Sequence, residues 1–459
     1  MVGVMSVRRG LYSVLIAVAA VVLALIVGMG AAFAEEPTEP REDEQFDQRG
    51  IEIDVRVGAR RTLIPLAVPD TLLGSDDVEE AAEEIEEILR RNLDLSGYFR
   101  VLPTDSFFFD TDAEGMSATG IDFMNWLNVG AQGLIKSSVS RRGDEYHLDL
   151  RLYAVEQGRQ VQLNWEAEPV ARAGIRAEVN EFINAVMEYY TGEAGIFGSL
   201  IAFSRRSEGG AKHIYTMEID GSGMRRISNF NGINLIPRFG PPGQIYFTSF
   251  RDGNPDLFVF RNGSVEKLSG QPGQNSGAAY CGGQLAVTLA RGTENTDIYL
   301  IDPQSGAIQR RLTENRHIDV SPTWSPDCRR IAFVSGRSSG AHIFVMNADG
   351  TDQRRLTFHG SYNTTPNWSP RGDRIVFAGR DEYNAYDVFT VDLDGNIERL
   401  TQDQGNNFEP SYSPDGRYIL FSSDRGGSGK QLFIMTRDGQ VQRPLTRGGG
   451  SYEEPVWER

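Results

Sequence analysis

Pro322-Thr-Trp324-Ser-Pro326-Asp327 is followed by Ile331-Ala-Phe333-Val334, Ile343-Phe-Val345-Met346, Asp349-Gly350 and Arg355-Leu356-Thr357. The same series restarts at Pro366-Asn-Trp368-Ser-Pro370 and again at Pro410-Ser-Tyr412-Ser-Pro414-Asp415-Gly416. With a last opening at Pro455, the spacings are 44, 44 and 45 residues. A fixed period of this size marks an array of stacked units. Ser-Pro-Asp-Gly suits a tight turn, and Asp-Gly between apolar runs is a hairpin signal. The apolar runs are short, β-branched or aromatic, and nearly continuous. A strand with one wet face alternates, so these runs predict strands covered on both faces. Four-stranded blades wedged between neighbouring blades meet that demand, which predicts a β-propeller.

Weaker copies lie upstream. Ile201-Ala-Phe203, Ile245-Tyr-Phe247 and Leu285-Ala-Val287 fill the slot of Ile331, with turns at Asp220-Gly221, Asn262-Gly263 and Ser305-Gly306. That makes six units. The first lacks its opening Pro-x-Trp strand, while Pro455-Val-Trp457 is an orphan copy of it. The fold expected is an α/β N-terminal domain plus an all-β six-bladed β-propeller, its ring closed by a C-terminal strand in the first blade. Closure removes the exposed sheet edges that an open stack of six sheets would leave.

Residues 1–34 read as a secretory signal: Arg8 and Arg9, an apolar run over 11–27, and the small-x-small site Ala32-Phe33-Ala34. Cleavage is expected after Ala34; the run is also long enough for an uncleaved anchor, and Arg8-Arg9 is a weak hint of twin-arginine export. Removing the signal takes away two arginines and no acids, so the net charge moves from −17 to −19. This argues against nucleic acid as a partner. Residues 35–50 are acidic and expected to be disordered. Residues 51–192 are expected to form the α/β domain and 193–459 the propeller. Ile51-Glu52-Ile53-Asp54-Val55-Arg56-Val57 alternates as a half-exposed strand would. Strands are expected at 63–68, 99–102, 134–139, 146–155 and 160–166. Helices are expected from Val78, capped by Ser75 or Asp76, at 121–129, and at 179–190. Glu79, Glu80, Glu83, Glu84, Glu86 and Glu87 make the outer face of the first helix acidic; a solvated face is the plain reading.

Catalytic signals are weak. Gly336-Arg-Ser338-Ser-Gly340 matches a nucleophile pattern that works only on a strand-to-helix elbow, and here it joins two strands of one blade. His213 and His342 share a repeat position, which makes them structural, His147 lies in a predicted strand, and His317 and His359 lie in loops between repeats. No metal-binding spacing, phosphate loop or dinucleotide fingerprint is present, so no cofactor or metal is expected. The two cysteines, Cys281 and Cys328, lie in the first turns of adjacent repeats; with blades splayed apart at a rim, two free thiols are expected. The remaining surface is the set of loops joining one repeat to the next (229–236, 270–277, 314–321, 359–365, 403–409 and 447–454). They gather round one mouth of the channel and carry Phe230, Tyr362, Phe408 and Tyr452. A rigid scaffold displaying loops is a binding arrangement.

The whole mature chain resembles the TolB family, the periplasmic propellers of the Tol-Pal system of Gram-negative bacteria. The resemblance rests on the repeat, on Ile51-Glu-Ile53-Asp54-Val55 with Pro65-Leu-Ala-Val-Pro69, and on Tyr190-Thr191-Gly192-Glu193-Ala-Gly195-Ile-Phe197. It implies a monomeric periplasmic scaffold and not an enzyme. The scaffold would link inner-membrane TolA to outer-membrane Pal, serving envelope integrity and outer-membrane constriction during division. It implies that the TolA C-terminal domain binds at Ile51, Glu52, Ile53, Asp54, Val55, Arg56 and Val57, within 51–61. It implies that the Pal lipoprotein docks through Asn275, Ser276, Val320, Ser321, Thr364, Thr365, Phe408, Glu409, Glu453 and Glu454. The closing helix departs from the family pattern, with Asn180 and Asn184 in place of a His and an Asp. The competing class is a ligand-binding or peptidase-accessory propeller.

Overall fold

The structure is a computed structural model that describes residues 62–458 except 208–209, 231, 291–294, 381–382 and 428. The signal, the leader and the strand expected at 51–57 lie outside the described residues.

Six four-stranded antiparallel sheets follow the 44-residue period. The fourth blade shows the order: Asp319–Trp324, Arg330–Ser335, His342–Asn347 and Arg354–Arg355, with the first strand innermost. Inner strands pack against the inner strands of both neighbours round the ring. The second strand is buried along its length from Ile331 to Ser335, as its continuous apolar run requires. Ring closure is as expected. Ser451–Trp457 is the inner strand of the first blade, with Trp457 opposite Ile201 and Tyr452 opposite Arg205.

Two devices repeat, one between blades and one within a blade. The Asp-Gly turn lies against the preceding blade so closely that a Cβ on Gly350 would sit 2.6 Å from the Leu312 carbonyl oxygen, and one on Gly439 2.7 Å from that of Leu400; only glycine fits. The threonine of Arg-Leu-Thr accepts a main-chain N–H of the third strand: Ile298 to Thr313 (3.0 Å), Ile343 to Thr357 (3.0 Å), Val388 to Thr401 (2.9 Å), Leu432 to Thr446 (2.9 Å). Beside it stand His213, Asp256, Asp297, His342, Asp387 and Gln431 at one repeat position, all buried. Asn363 and Asn407, at the head of the next inner strand, complete the contact with His359 and Asp387. The two histidines are therefore structural, as their register predicts.

Burial and the Arg355 guanidinium push the His342 imidazole down to about 4. In the unfolded chain it titrates near its ordinary value of about 6.5. Between these values the unfolded chain takes up a proton that the folded chain refuses, so stability falls as pH falls through that window. His342→Gln should flatten this part of the stability curve by about 2–3 kcal/mol, read from urea midpoints at pH 7 and pH 4.

The N-terminal domain has a seven-stranded sheet. β1 (Ile64–Ala67), β2 (Leu72–Leu73), β3 (Phe99–Val101), β4 (Gly133–Arg142), β5 (Glu145–Ala154), β6 (Arg159–Gln160) and β7 (Val170–Ala171) run in the order β3-β1-β4-β5-β6, with β2 on β4 and β7 on β5. Helices α1 (Glu79–Leu95) and α3 (Ile175–Thr191) pack together over one face, and the short α2 (Phe123–Asn128) helps cover the other through Trp126. Two local expectations fail. α1 is preceded by Val78 with no side-chain cap, because Ser75 Oγ is taken by the Arg141 N–H of β4 at 2.9 Å. The strand expected at 160–166 stops at Gln160; Trp165 instead turns in to meet Phe182 edge-on at 5.1 Å.

The domain packs on the propeller without a break in the core. One buried cluster contains Ile85, Leu89, Phe182 and Val186 together with Phe203, Met217, Tyr418, Leu432 and Trp457. Arg91 donates to the Asp220 carbonyl (2.8 Å), Arg176 pairs with Asp220 (2.6 Å) and Asp94 with Arg443 (3.1 Å). The buried Arg417 donates to the Thr191 hydroxyl and the Glu193 carbonyl, both at 3.2 Å. Asn180 accepts from Asn92 (2.8 Å). Asn184 grips both main-chain polar groups of Phe197 (2.9 and 3.0 Å). Asn180 and Asn184 thus join the helices and the interdomain linker.

Candidate functional site

The turns that touch the N-terminal domain lie on one rim, in the fifth, sixth and first blades. The loops joining successive blades lie on the other, where the inner strands begin. Each inner strand opens with a bulge: the register slips after Leu235, Ser276, Val320, Thr364, Phe408 and Glu453. The next residue is left-handed in every case, with φ of 55° at Ile236, 62° at Gly277, 56° at Ser321, 50° at Thr365, 54° at Glu409 and 57° at Glu454. In five of the six blades proline follows, an expected residue for a bulge. The bulge re-aims successive side chains at the channel mouth.

The ten residues singled out from sequence sit at this ring of bulges but differ in exposure. Val320, Ser321, Thr364, Thr365, Phe408 and Glu409 are partly exposed. Asn275 and Ser276 are buried, and Asn275 ties its own loop by accepting from Gln271 N (3.1 Å) and donating to the Gln271 carbonyl (2.7 Å). Glu453 and Glu454 are only 6% and 7% exposed. Lys212, 1% exposed, lies 3.0 Å from Glu453 Oε2 and 3.3 Å from Glu454 Oε1. Ser204 Oγ and the Ile236 N–H both donate to Glu454, at 2.6 and 2.8 Å, and the Glu454 N–H donates to Glu409 at 2.9 Å. Burial alone would raise the Glu453 carboxyl; Lys212 and Lys430 outweigh it and hold the group at about 2. Lys212 belongs to the third strand of the first blade and Glu453 to its inner strand, so this charge cluster clasps the closing strand.

An aromatic arc runs across the mouth from the fourth blade to the sixth. Arg380 lies over Tyr362 and Tyr386 at 5.1 Å each; Tyr386 meets Phe408 at 4.8 Å; Lys430 lies over Phe408 at 4.1 Å. The Arg380 N–H donates to the Tyr362 carbonyl, joining the loop 358–362 to the loop that carries Tyr383. In these two loops Phe358 is 65% and Tyr383 77% exposed. Phe230 and Tyr452, by contrast, turn inward against Phe247 and Phe203. Tyr383, Tyr386 and Arg380 escaped the sequence reading because they belong to a hairpin within a blade, Arg380 and Tyr386 at the facing ends of its strands and Tyr383 in its loop; their signal is the pair of tyrosines in Tyr383-Asn-Ala-Tyr386.

Ser338 lies in a hairpin loop between two strands, with no helix behind it. Among the described residues no group of three or more His, Cys, Asp or Glu side chains is placed to hold a metal. The cysteine expectation is overturned: Cys281 and Cys328 form a disulfide, with Cα atoms 5.7 Å apart. The first turn of each repeat belongs to the inner strand, where neighbouring blades converge, and not to the splayed outer edge.

The fold and this mouth define a two-domain β-propeller protein in which, among the described residues, one rim is covered and the other is not. The chain belongs to the TolB family: the TolB beta propeller domain matches residues 188–459 and the TolB amino-terminal domain matches residues 51–161. The "Tol-Pal system protein TolB" of Anaeromyxobacter dehalogenans (strain 2CP-C) is 41% identical over 265 residues, 57% of this chain and 59% of that protein. That of Desulfosudis oleivorans is 37% identical over 259 residues, 55% of this chain and 58% of that protein. The chain thus spans just under six-tenths of these curated relatives. The crystal structure of TolB from Acinetobacter baumannii superposes with a TM-score of 0.74 at 22% identity, over 87% of this chain and 98% of that one, a likeness of fold.

Proposed function

We propose that this protein is a periplasmic docking scaffold of the Tol-Pal system. It binds the Pal lipoprotein at the channel mouth and the TolA C-terminal domain through residues 51–61, so linking the outer membrane to the inner one during division. The observation that carries this reading is the open rim: among the described residues, the N-terminal domain occupies one end of the propeller and leaves the bulge ring and aromatic arc uncovered at the other. Export fits the sequence of residues 1–34, with cleavage after Ala34, and a disulfide suits an oxidising compartment. No helix among the described residues is long and apolar enough to cross a membrane.

Exposed aromatic side chains beside partly exposed polar ones are the composition of binding hot spots. Tyr383→Ala and Phe358→Ala should each weaken Pal binding about tenfold, measured by titration calorimetry. Affinities unchanged by both substitutions, or no binding by the wild type, would remove the assignment. Deleting residues 35–60 should abolish TolA binding. If the N-terminal strand also biases the mouth through the domain interface, the same deletion changes Pal affinity, as linkage requires. Equal affinity with and without those residues would leave two independent sites.

A further inference from the structure

The seam between the third and fourth blades is joined by the Trp324 indole N–H donating to the Ala279 carbonyl at 2.9 Å, and differs from the next two in one main-chain contact. At the fourth–fifth seam the Trp368 N–H donates to Thr323 Oγ1 (3.3 Å), and at the fifth–sixth seam the Tyr412 N–H donates to Asn367 Oδ1 (2.9 Å). The register places Ala279 at the position of Thr323 and Asn367, and alanine has no side-chain acceptor. The third blade also lacks the serine that braces the first turn in the three blades that follow it. Ser325 and Ser413 each accept a main-chain N–H across their turns, at 2.9 and 3.0 Å. Cys281 stands in that place, followed by Gly282-Gly283. On the facing side, Cys328 holds a left-handed position (φ 58°) that the fifth and sixth blades give to Gly372 and Gly416. A non-glycine residue there costs stability on its own account, and the bridge to Cys281 offsets that cost.

We propose that Cys281–Cys328 is a redox-written modification site that locks the seam between the third and fourth blades. Closing it joins the two sulfurs, releases both thiol protons and passes two electrons to a disulfide-type oxidant; a dithiol or phosphine reverses it. Both cysteines are partly exposed, so a thiol–disulfide exchange reagent can reach them. The oxidised ring is the stiff form, and the reduced ring opens locally at one seam while the rest of the propeller stays folded.

The test compares the intact signal-free protein before and after treatment with a phosphine reductant. Reduction should lower the thermal midpoint by about 5–10 °C. It should raise amide hydrogen exchange in Asn275–Cys281 and Asp319–Trp324, leaving the inner strand of the sixth blade, Asn407–Tyr412, unchanged. A Cys281→Ser/Cys328→Gly variant, which restores the residues of the other blades, should show the fast exchange at all times and ignore the reductant. The proposal is overturned if exchange in the two strands is unaltered by reduction, if it rises evenly through the protein, or if the double variant is as protected as the oxidised wild type.

Discussion

Replacing Lys212 by methionine is expected to destabilise the protein by about 3–5 kcal/mol, the cost of removing one partner from a buried ion pair. The ammonium is 1% exposed and lies within 3.3 Å of two carboxylates that are themselves buried. Without it, Glu453 must either stay charged in a poor solvent or take up a proton. The pH dependence should change with it. In the wild type the folded Glu453 carboxyl titrates at about 2, below its ordinary value of 4.5. Its contribution is therefore complete above pH 4.5 and is lost as pH falls toward 2. In Lys212→Met burial is left to dominate, so acidification from pH 7 should relieve the defect. The triple variant Lys212→Met, Glu453→Gln, Glu454→Gln should recover much of the loss, since removing both halves of a buried pair is far milder than removing one. Urea unfolding at pH 7, 4 and 3 measures all of this; a Lys212→Met protein within 1 kcal/mol of wild type at pH 7 would contradict it.

The second large effect is expected at Trp457. Its indole is 1% exposed, donates to Ser199 Oγ at 2.8 Å, and belongs to the core shared by both domains. Trp457→Ala should cost about 3–5 kcal/mol through the cavity it leaves, and Trp457→Phe appreciably less. Because this strand closes the ring, the alanine variant should also expose the edge of Leu200–Arg206 more often, with aggregation near the unfolding midpoint as the visible result. An equilibrium unfolding curve for Trp457→Ala that overlays the wild type would show that the seam is held elsewhere.

The blades and their closure could be read from the sequence because each rests on local grammar repeated at a fixed interval. The slot of Ile331, Ile375 and Ile419 predicts a twice-covered strand, and an orphan Pro455-Val-Trp457 predicts its own partner. What escaped depends on radius and direction, which a linear pattern does not carry. Cys281 and Cys328 were expected apart because their turns were placed at a splayed edge; the turns belong to the narrow part of the ring. Glu453 and Glu454 look like mouth residues by repeat position, yet Lys212, 241 positions from Glu453, buries them. Ser75 has the chemistry of a helix cap, but a strand 66 residues away claims its hydroxyl. The aromatic arc was half legible: Tyr362 and Phe408 lie in loops between repeats, whereas Tyr383 and Tyr386 reach it from within a blade.

The pairing of residue 457 with residue 201 sets an order of events in the life of the chain. A ribosome or an export channel delivers the first blade without its central strand, and that blade must wait for more than two hundred further residues before it can be finished. Blades two to six can form while the wait lasts, each from its own contiguous segment. The N-terminal domain cannot complete the core it shares with the propeller earlier than that, because Trp457 is part of it. Separations this long make for slow folding. The half-built first blade is the place where a holding chaperone of the envelope has most to protect.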